Sequence, residues 1–155
     1  MASRYVLSRI RLEEILAAIR KGAAVGFVSY LIVMLLMLLY AIFNNYDIVV
    51  FISREGIMFP ALIQLVGWII LFAGTYLLRV VVEALTGESE PEIEGTAEVI
   101  KGVLGIITII CVAMALFIAF TTNWQNIWSI LISASIILAF FFTAVEIWGL
   151  NKKIR

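Results

Sequence analysis

Three long runs of this sequence contain no charged residue, and they restrict the fold more than any other feature. The runs cover residues 22–46, 56–78 and 102–145. A helix rises about 1.5 Å per residue, so each run can cross a hydrocarbon core of about 30 Å. With 64% hydrophobic residues and a mean hydropathy of +1.12, the chain has more apolar surface than one water-soluble core of 155 residues can bury. The runs therefore predict helices that cross a membrane.

The third run is too long for one crossing and has the length of two. Polar residues at 121–126 divide it, and so short a link predicts an antiparallel helical hairpin. The first two runs are paired in the same way, across the short connection at 47–55. The predicted fold class is therefore all-α, with four hydrophobic membrane-spanning helices in two antiparallel hairpins that form a single domain over residues 1–155. The predicted spans cover residues 22–46, 56–83, 98–120 and 127–149.

The segment before the first span predicts a further helix. Residues 5–20 place Leu12, Ile15, Leu16 and Ile19 at helical spacing among charged positions. This pattern is typical of an amphipathic helix on a membrane surface, which we favour over a helix that binds a specific partner.

An acidic segment at residues 84–97 connects the second and third spans. Its alternating carboxylates are Glu88, Glu90, Glu92 and Glu94. Such groups can bind divalent cations, but the spacing of an EF-hand is missing, so a solvated acidic loop is favoured over a metal site. Thr96 is expected to cap the third span, with Glu98 favourable in its first turn.

The basic residues predict the orientation in the membrane. Ten of the eleven Lys and Arg residues lie on the side of both termini and the acidic loop, and only Arg54 lies on the other side. Because cytoplasmic segments carry the excess of Lys and Arg, the N and C termini of this integral membrane protein are predicted to be cytoplasmic. Aromatic residues then mark the outer interface: Tyr40, Tyr46, Trp124 and Trp128.

Small residues recur in every span at spacings that allow helices to approach closely. In lipid, faces of small residues hold helices together. The predicted helix-packing residues are Gly22, Gly26, Gly67, Gly74, Gly102, Gly105, Ser129 and Ser133.

Three ionisable residues lie within or beside the spans. Arg79 and Glu83 are four residues apart on one helix, so we expect an intramembrane ion pair near the cytoplasmic end, joined by Glu146. Charges at membrane depth are costly and often functional. Here a structural ion pair is favoured over an ion or proton pathway, since all three residues lie near the interface.

Residues that catalysis usually requires are scarce. The chain has no histidine, one cysteine, Cys111, and one aspartate, Asp47. We therefore expect no enzyme, no cofactor, no metal site and no small-molecule substrate. The favoured function is a structural membrane protein that self-assembles through helix packing into a homo-oligomer. The alternative is a small ion channel or transporter subunit, although no span carries a central charge or a polar stripe.

Four features combine over the whole chain: its length, the absence of histidine, the hairpin GIITIICVAMALFIAFTTNWQNIWSILISASIILAF and the basic start SRYVLSRIRLEEILAAIR. In this combination the chain resembles the hydrophobic major capsid proteins of spindle-shaped archaeal viruses. The resemblance implies a coat protein that sits in the host membrane before it assembles into the shell of a virion. It also implies a weak DNA contact through the basic N-terminal segment, whereas the acidic loop opposes strong DNA binding.

Overall fold

A computed structural model describes residues 7–54, 58–87 and 92–153 of the chain. Its elements, in order, are β1 Leu7–Arg11, α1 Leu12–Phe43, α2 Ile48–Arg54, α3 Met58–Thr86, β2 Glu92–Thr96, α4 Ala97–Thr121 and α5 Ile127–Lys153. The predicted all-α class with four long apolar helices is confirmed, and two short strands are added to it.

Within the described ranges, four helices are long and apolar enough to cross a membrane, which is compatible with an integral membrane protein. They are Leu12–Phe43, Ala61–Thr86, Ala97–Thr121 and Ile127–Lys153. The first helix begins ten residues before the predicted span at 22–46. It does so because Ile15, Leu16 and Ala18 are buried in phase with the residues that follow.

The four long helices are buried to different extents. α5 contacts both α1 and α4 along much of its length, whereas α3 contacts α1 over a shorter stretch. In their most apolar stretches, 33% of the residues are buried in α5 and 28% in α1, against 17% in α4 and 11% in α3. The helices α1 and α5 therefore form the centre, and α3 and α4 lie on the outside.

The direction of the central helices follows from contacts at their ends. Lys21, near the start of α1, pairs with Glu146, near the end of α5. Tyr40, near the end of α1, contacts the ring of Trp128, near the start of α5. α1 and α5 are thus antiparallel. Because α1 packs more extensively on α5 than on α3, the prediction of two separate hairpins is not confirmed.

The strands β1 and β2 form a two-stranded antiparallel sheet that joins the start of α1 to the start of α4. Ile10 lies opposite Ile93, and Arg9 lies opposite Glu94. The Ile10 side chain is only 4% exposed, whereas that of Arg9 is largely exposed. This alternation of inward and outward side chains is the period of a strand.

The prediction of an amphipathic helix over residues 5–20 is not confirmed, because part of this segment is a strand. Residues 7–11 form β1, and residues 12–20 form the first turns of α1; residues 5 and 6 lie outside the described part. Charged and apolar residues alternate at positions 9–11, which suits a strand, and β2 supplies backbone partners and opposite charges. That partner is distant in the sequence, so the local pattern alone did not indicate it.

The acidic loop predicted at residues 84–97 is shorter than expected. α3 continues to Thr86, where Gly87, with a φ of +70°, ends the helix. The strand β2 takes the second half of the segment. Residues 88–91, which include two of the predicted carboxylates, lie outside the described residues.

The start of α4 agrees with its prediction. The hydroxyl oxygen of Thr96 accepts a hydrogen bond of 3.3 Å from the backbone N–H of Val99, and Glu98 lies in the first turn. The predicted cap is confirmed.

Two clusters of buried apolar side chains fill the two ends of the molecule. The strand end holds both strands and a cluster of Ile10, Ile15, Ala18, Ile100, Leu104 and Ile147. A second, longer cluster reaches the opposite end, the α2 end. It includes Tyr30, Val33, Met37, Phe51, Trp68 and Ile132.

Candidate functional site

Two of the predicted packing glycines lie where α1 meets its neighbours. A Cβ atom at Gly26 would lie 2.5 Å from the Cβ of Ala139 on α5 and 2.5 Å from Cη2 of Trp68 on α3. At Gly22, a Cβ atom would overlap the hydroxyl of Thr143 and lie 2.8 Å from the Ala139 carbonyl oxygen. Both glycines therefore allow α1 to approach α5 more closely than any other residue would.

Three of the other predicted packing glycines lie away from the remaining helices of the described chain. A Cβ atom at Gly67, Gly74 or Gly102 would meet no atom of the described chain within 4 Å. At Gly105, the nearest atom is Nδ2 of Asn151 at 3.9 Å. Gly67, Gly74 and Gly102 are exposed and therefore lie on outward faces of the outer helices, although the sequence suggested packing within the bundle, whereas Gly105 is half-buried beside the end of α5.

The outward face of α3 is apolar and contains a shallow groove of about 450 Å³. The groove is lined by Leu62, Ile63, Val66, Gly67 and Ile70. Leu62 and Ile63 are each 55% exposed and Ile70 is 64% exposed. The face offers large apolar side chains around a glycine, which is the composition of a helix–helix contact in lipid.

A buried polar link between the helices involves Gln64, which the sequence-based prediction missed. Its side-chain oxygen accepts hydrogen bonds from the Ser135 hydroxyl on α5, at 2.8 Å, and from the Trp68 indole N–H, at 3.2 Å. Its nitrogen donates to the Ile132 carbonyl at 3.3 Å. All of these side chains are buried, so the amide fastens α3 to α5. The sequence signal that could have identified Gln64 is a single side-chain amide within an apolar run.

Serine packing on α5 also differs in position from the prediction. Ser129 and Ser133 are only partly buried, whereas Ser135 is 1% exposed and bonds to Gln64. A second link joins α1 to α3, since the Tyr30 hydroxyl donates to the Ala61 carbonyl at 2.9 Å. The helix that a serine faces depends on packing, which the spacing of small residues does not specify.

Arg79 is the centre of a charged junction at the strand end. Its Nε lies 3.0 Å from Glu83 Oε1, the pair expected from the sequence, and its guanidinium also lies 3.1 Å from Glu13 Oε2 on α1. Arg20 pairs with Glu13 in turn, and its guanidinium lies 4.5 Å from the ring centre of Tyr76 on α3. The junction therefore joins α1 to α3, because Arg79 on α3 pairs with Glu13 on α1. Glu13 occupies the position beside Arg79 that was predicted for Glu146.

The third predicted ionisable residue, Glu146, lies apart from this junction. Its carboxylate is 3.9 Å from Lys21 Nζ. Glu146 lies away from Arg79 because the end of α5 packs against the start of α1 on the side of Lys21. Glu146 therefore links the two central helices instead of joining Arg79.

Most basic side chains of the N-terminal segment also have acidic partners. Arg9 lies 3.2 Å from Glu94 and 3.8 Å from Glu92 across the sheet. Arg11 lies 3.9 Å from Glu14. The predicted solvated carboxylates of the acidic loop are thus partly used in ion pairs, and the basic charge of the segment is partly neutralised.

The charged and polar side chains described above hold the helices together. In the described ranges, no group of three or more Cys, Asp or Glu side chains could hold a metal ion. Cys111 is buried and unpaired with another cysteine. The charged and polar groups described above contact one another, an aromatic ring or backbone carbonyls.

Comparison with known proteins found no relative of this chain. No family model matches the chain, no curated protein matches it, and no solved structure matches it. The resemblance to spindle-shaped-virus capsid proteins therefore rests on the sequence features alone and stays a prediction.

Proposed function

We propose that this chain is a non-enzymatic structural membrane protein that self-assembles into a homo-oligomeric scaffold or a capsid-type shell. One observation carries the proposal. α3 has the length and hydropathy of a spanning helix, yet only 11% of its most apolar stretch is buried within one copy. Its glycines at positions 67 and 74 are open to the outside. Another helix can approach such a face closely, and close packing is what drives helices together in lipid.

The occupant proposed for this face is a second copy of the chain. Residues 58–78 of α3 carry no charge, so the partner surface must itself be apolar. α4 supplies such a surface along its length, with Ile109, Leu116 and Phe117 each more than half exposed. α3 and α4 are the two outer helices, so contacts between α3 of one copy and α4 of the next would be head-to-tail. Head-to-tail contacts generate rings when they close and extended arrays when they do not.

In the proposed orientation, the strand end and both termini are cytoplasmic. The supporting observation is that basic residues from distant parts of the sequence lie at this end, including Lys21, Arg79 and Lys101. Cysteines introduced as Ser3→Cys, Ser89→Cys and Asn123→Cys in a Cys111→Ala background test it. An impermeant thiol reagent added to intact cells should label only the Asn123→Cys protein. Labelling at positions 3 or 89 without labelling at 123 would reverse the orientation.

A location in a virion and a weak DNA contact belong to the same proposal through the resemblance to capsid proteins. The DNA contact would have to compete with the ion pairs of Arg9, Arg11 and Arg20. If DNA binds, affinity should fall steeply with added salt, because phosphate contacts release counterions.

A small channel or transporter subunit is the second candidate, and one observation favours it. Gln64 is a buried amide within a spanning helix, and polar groups at membrane depth often mark transport pathways. Against this, its partners are Trp68, Ser135 and a backbone carbonyl, which is the arrangement of a structural link.

The experiment that separates the two candidates uses the full chain. The protein is purified in mild detergent, its mass and shape are measured by light scattering and electron microscopy, and its ion flux is then measured in liposomes. Rings, tubes or sheets without flux are the expected result. A monodisperse monomer, or a small oligomer with selective flux, would overturn the structural proposal and favour the channel.

A further inference from the structure

A pocket of about 520 Å³ opens at the α2 end, between α2, the end of α1 and the start of α5. Its volume lies in the range of small-molecule sites. The residues that give it chemical character are Tyr40, Tyr46, Asp47, Phe51, Arg54 and Trp128. None of them belongs to the charged junction or to the outward face of α3.

Aromatic rings form one wall of the pocket. The ring centre of Tyr40 lies 5.6 Å from that of Phe51 and 5.5 Å from that of Trp128. Tyr46 stacks on Phe51 at 5.7 Å. Phe51 is 7% exposed, whereas Tyr40 and Tyr46 are 45% and 47% exposed. Mutual contacts thus hold the rings in place while two of them remain open to a ligand, and aromatic faces attract ammonium groups.

Two opposite charges lie at the two ends of α2. Oδ1 of Asp47 accepts hydrogen bonds from the backbone N–H groups of Val49 and Val50, at 3.0 and 3.2 Å, which fixes the carboxylate beside the rings. Arg54 is the last residue of α2 and the only Lys or Arg between residues 22 and 78 of the sequence. Asp47 and Arg54 are seven positions apart, which corresponds to about 10 Å along the helix axis, and the long Arg54 side chain can shorten the distance between the two charges.

We propose that this pocket binds a zwitterion in which a phosphate is joined to an ammonium group, and that its source is a phospholipid headgroup. The ammonium would contact Asp47 and the rings of Tyr40 and Tyr46, and the phosphate would contact Arg54. A simple anion would face the Asp47 carboxylate, and a simple cation would face the Arg54 guanidinium, so neither matches the pocket as well. The ends of spanning helices lie at the depth of the headgroups, and Ile127, which lines the pocket and is 64% exposed, offers apolar surface for acyl chains.

The test is lipid binding to the full chain in detergent, measured by native mass spectrometry. The probes are phosphatidylcholine, phosphatidylglycerol with the same acyl chains, and free phosphocholine. Phosphatidylcholine should bind at least about tenfold more tightly than phosphatidylglycerol, because only the zwitterion satisfies both charges. Equal or tighter binding of phosphatidylglycerol, or no saturable binding of phosphatidylcholine, would overturn the proposal. Free phosphocholine that binds as tightly as the lipid would overturn the assignment of a lipid source.

Matched variants assign the binding to the pocket. Asp47→Asn keeps a side-chain oxygen for the cap of α2 while removing the charge, and it should weaken phosphatidylcholine binding about tenfold. Arg54→Gln should reduce the affinity by a similar factor. The control is Trp124→Leu, which removes an aromatic ring that is 61% exposed at the same end but outside the pocket, and binding should be unchanged. Unchanged affinity in both pocket variants with an intact fold, shown by equal unfolding temperatures, would contradict the assignment.

Discussion

The glycines of α1 and those of α3 are the same sequence feature in two different surroundings. Gly22 and Gly26 face α5 so closely that a Cβ atom would overlap its neighbours, whereas at Gly67 and Gly74 a Cβ atom would meet no described atom within 4 Å. Both pairs lie in long apolar helices of similar composition. The comparison teaches that a face of small residues shows that a helix can be approached, but does not identify what approaches it.

The largest effect is expected at the closed face. Gly26→Leu should destabilise the monomer by about 2–3 kcal/mol or prevent folding, because the side chain must displace Ala139 and Trp68. Unfolding in detergent, followed by circular dichroism, measures this. Its matched control is the same replacement at Gly67, since both changes replace glycine by leucine inside a helix. Equal destabilisation at the two positions would remove the distinction between the faces.

The next effect concerns the polar link between the central and outer helices. Gln64→Leu should cost about 1 kcal/mol, since hydrogen bonds between helices in membrane proteins have about this value, and it leaves the Trp68 indole N–H without its acceptor. A double-mutant cycle with Ser135→Ala isolates the Gln64–Ser135 contact. If the two single changes were strictly additive, the link would not join α3 to α5.

A smaller effect is expected at the charged junction. Arg79→Ala should destabilise the protein less than Gln64→Leu does, because it leaves Glu83 and Glu13 with less positive charge nearby while solvent screens these exposed groups. The double replacement of Arg79 by Gln and Glu83 by Leu should cost less, because it also removes one of the carboxylates. Flux measurements in liposomes provide a second readout. Loss of ion flux in the double variant, with the fold intact, would indicate a transport role instead.

The smallest effect on monomer stability, and the most informative one for assembly, is expected at the open face. Gly67→Leu should change the free energy of unfolding of one copy by less than about 0.5 kcal/mol, the range of surface substitutions. The same change should reduce oligomer size, since it fills the groove beside Leu62 and Ile63. Light scattering in detergent measures the oligomer. An unaltered oligomer for both Gly67→Leu and Gly74→Leu would place the association surface elsewhere.

Local features of the sequence determined the helices themselves. Charge-free runs of sufficient length predicted all four spanning helices, and the polar residues at 121–126 separated α4 from α5 at the correct place. The cap at Thr96 and the pair of Arg79 with Glu83 were also predictable. These features depend on residues within a few positions of one another, where helix geometry fixes the distance.

Tertiary structure alone decided which residues from distant positions meet. It paired β1 with β2 across more than 80 residues, placed Glu13 instead of Glu146 beside Arg79, and directed Gln64 toward Ser135. It also determined that Gly22 faces a neighbouring helix and that Gly67 does not. An apolar helix is nearly uniform around its axis, so hydropathy gives no preferred rotation. The rotation is chosen by close packing and by the few polar contacts between helices, and both depend on where the other helices lie.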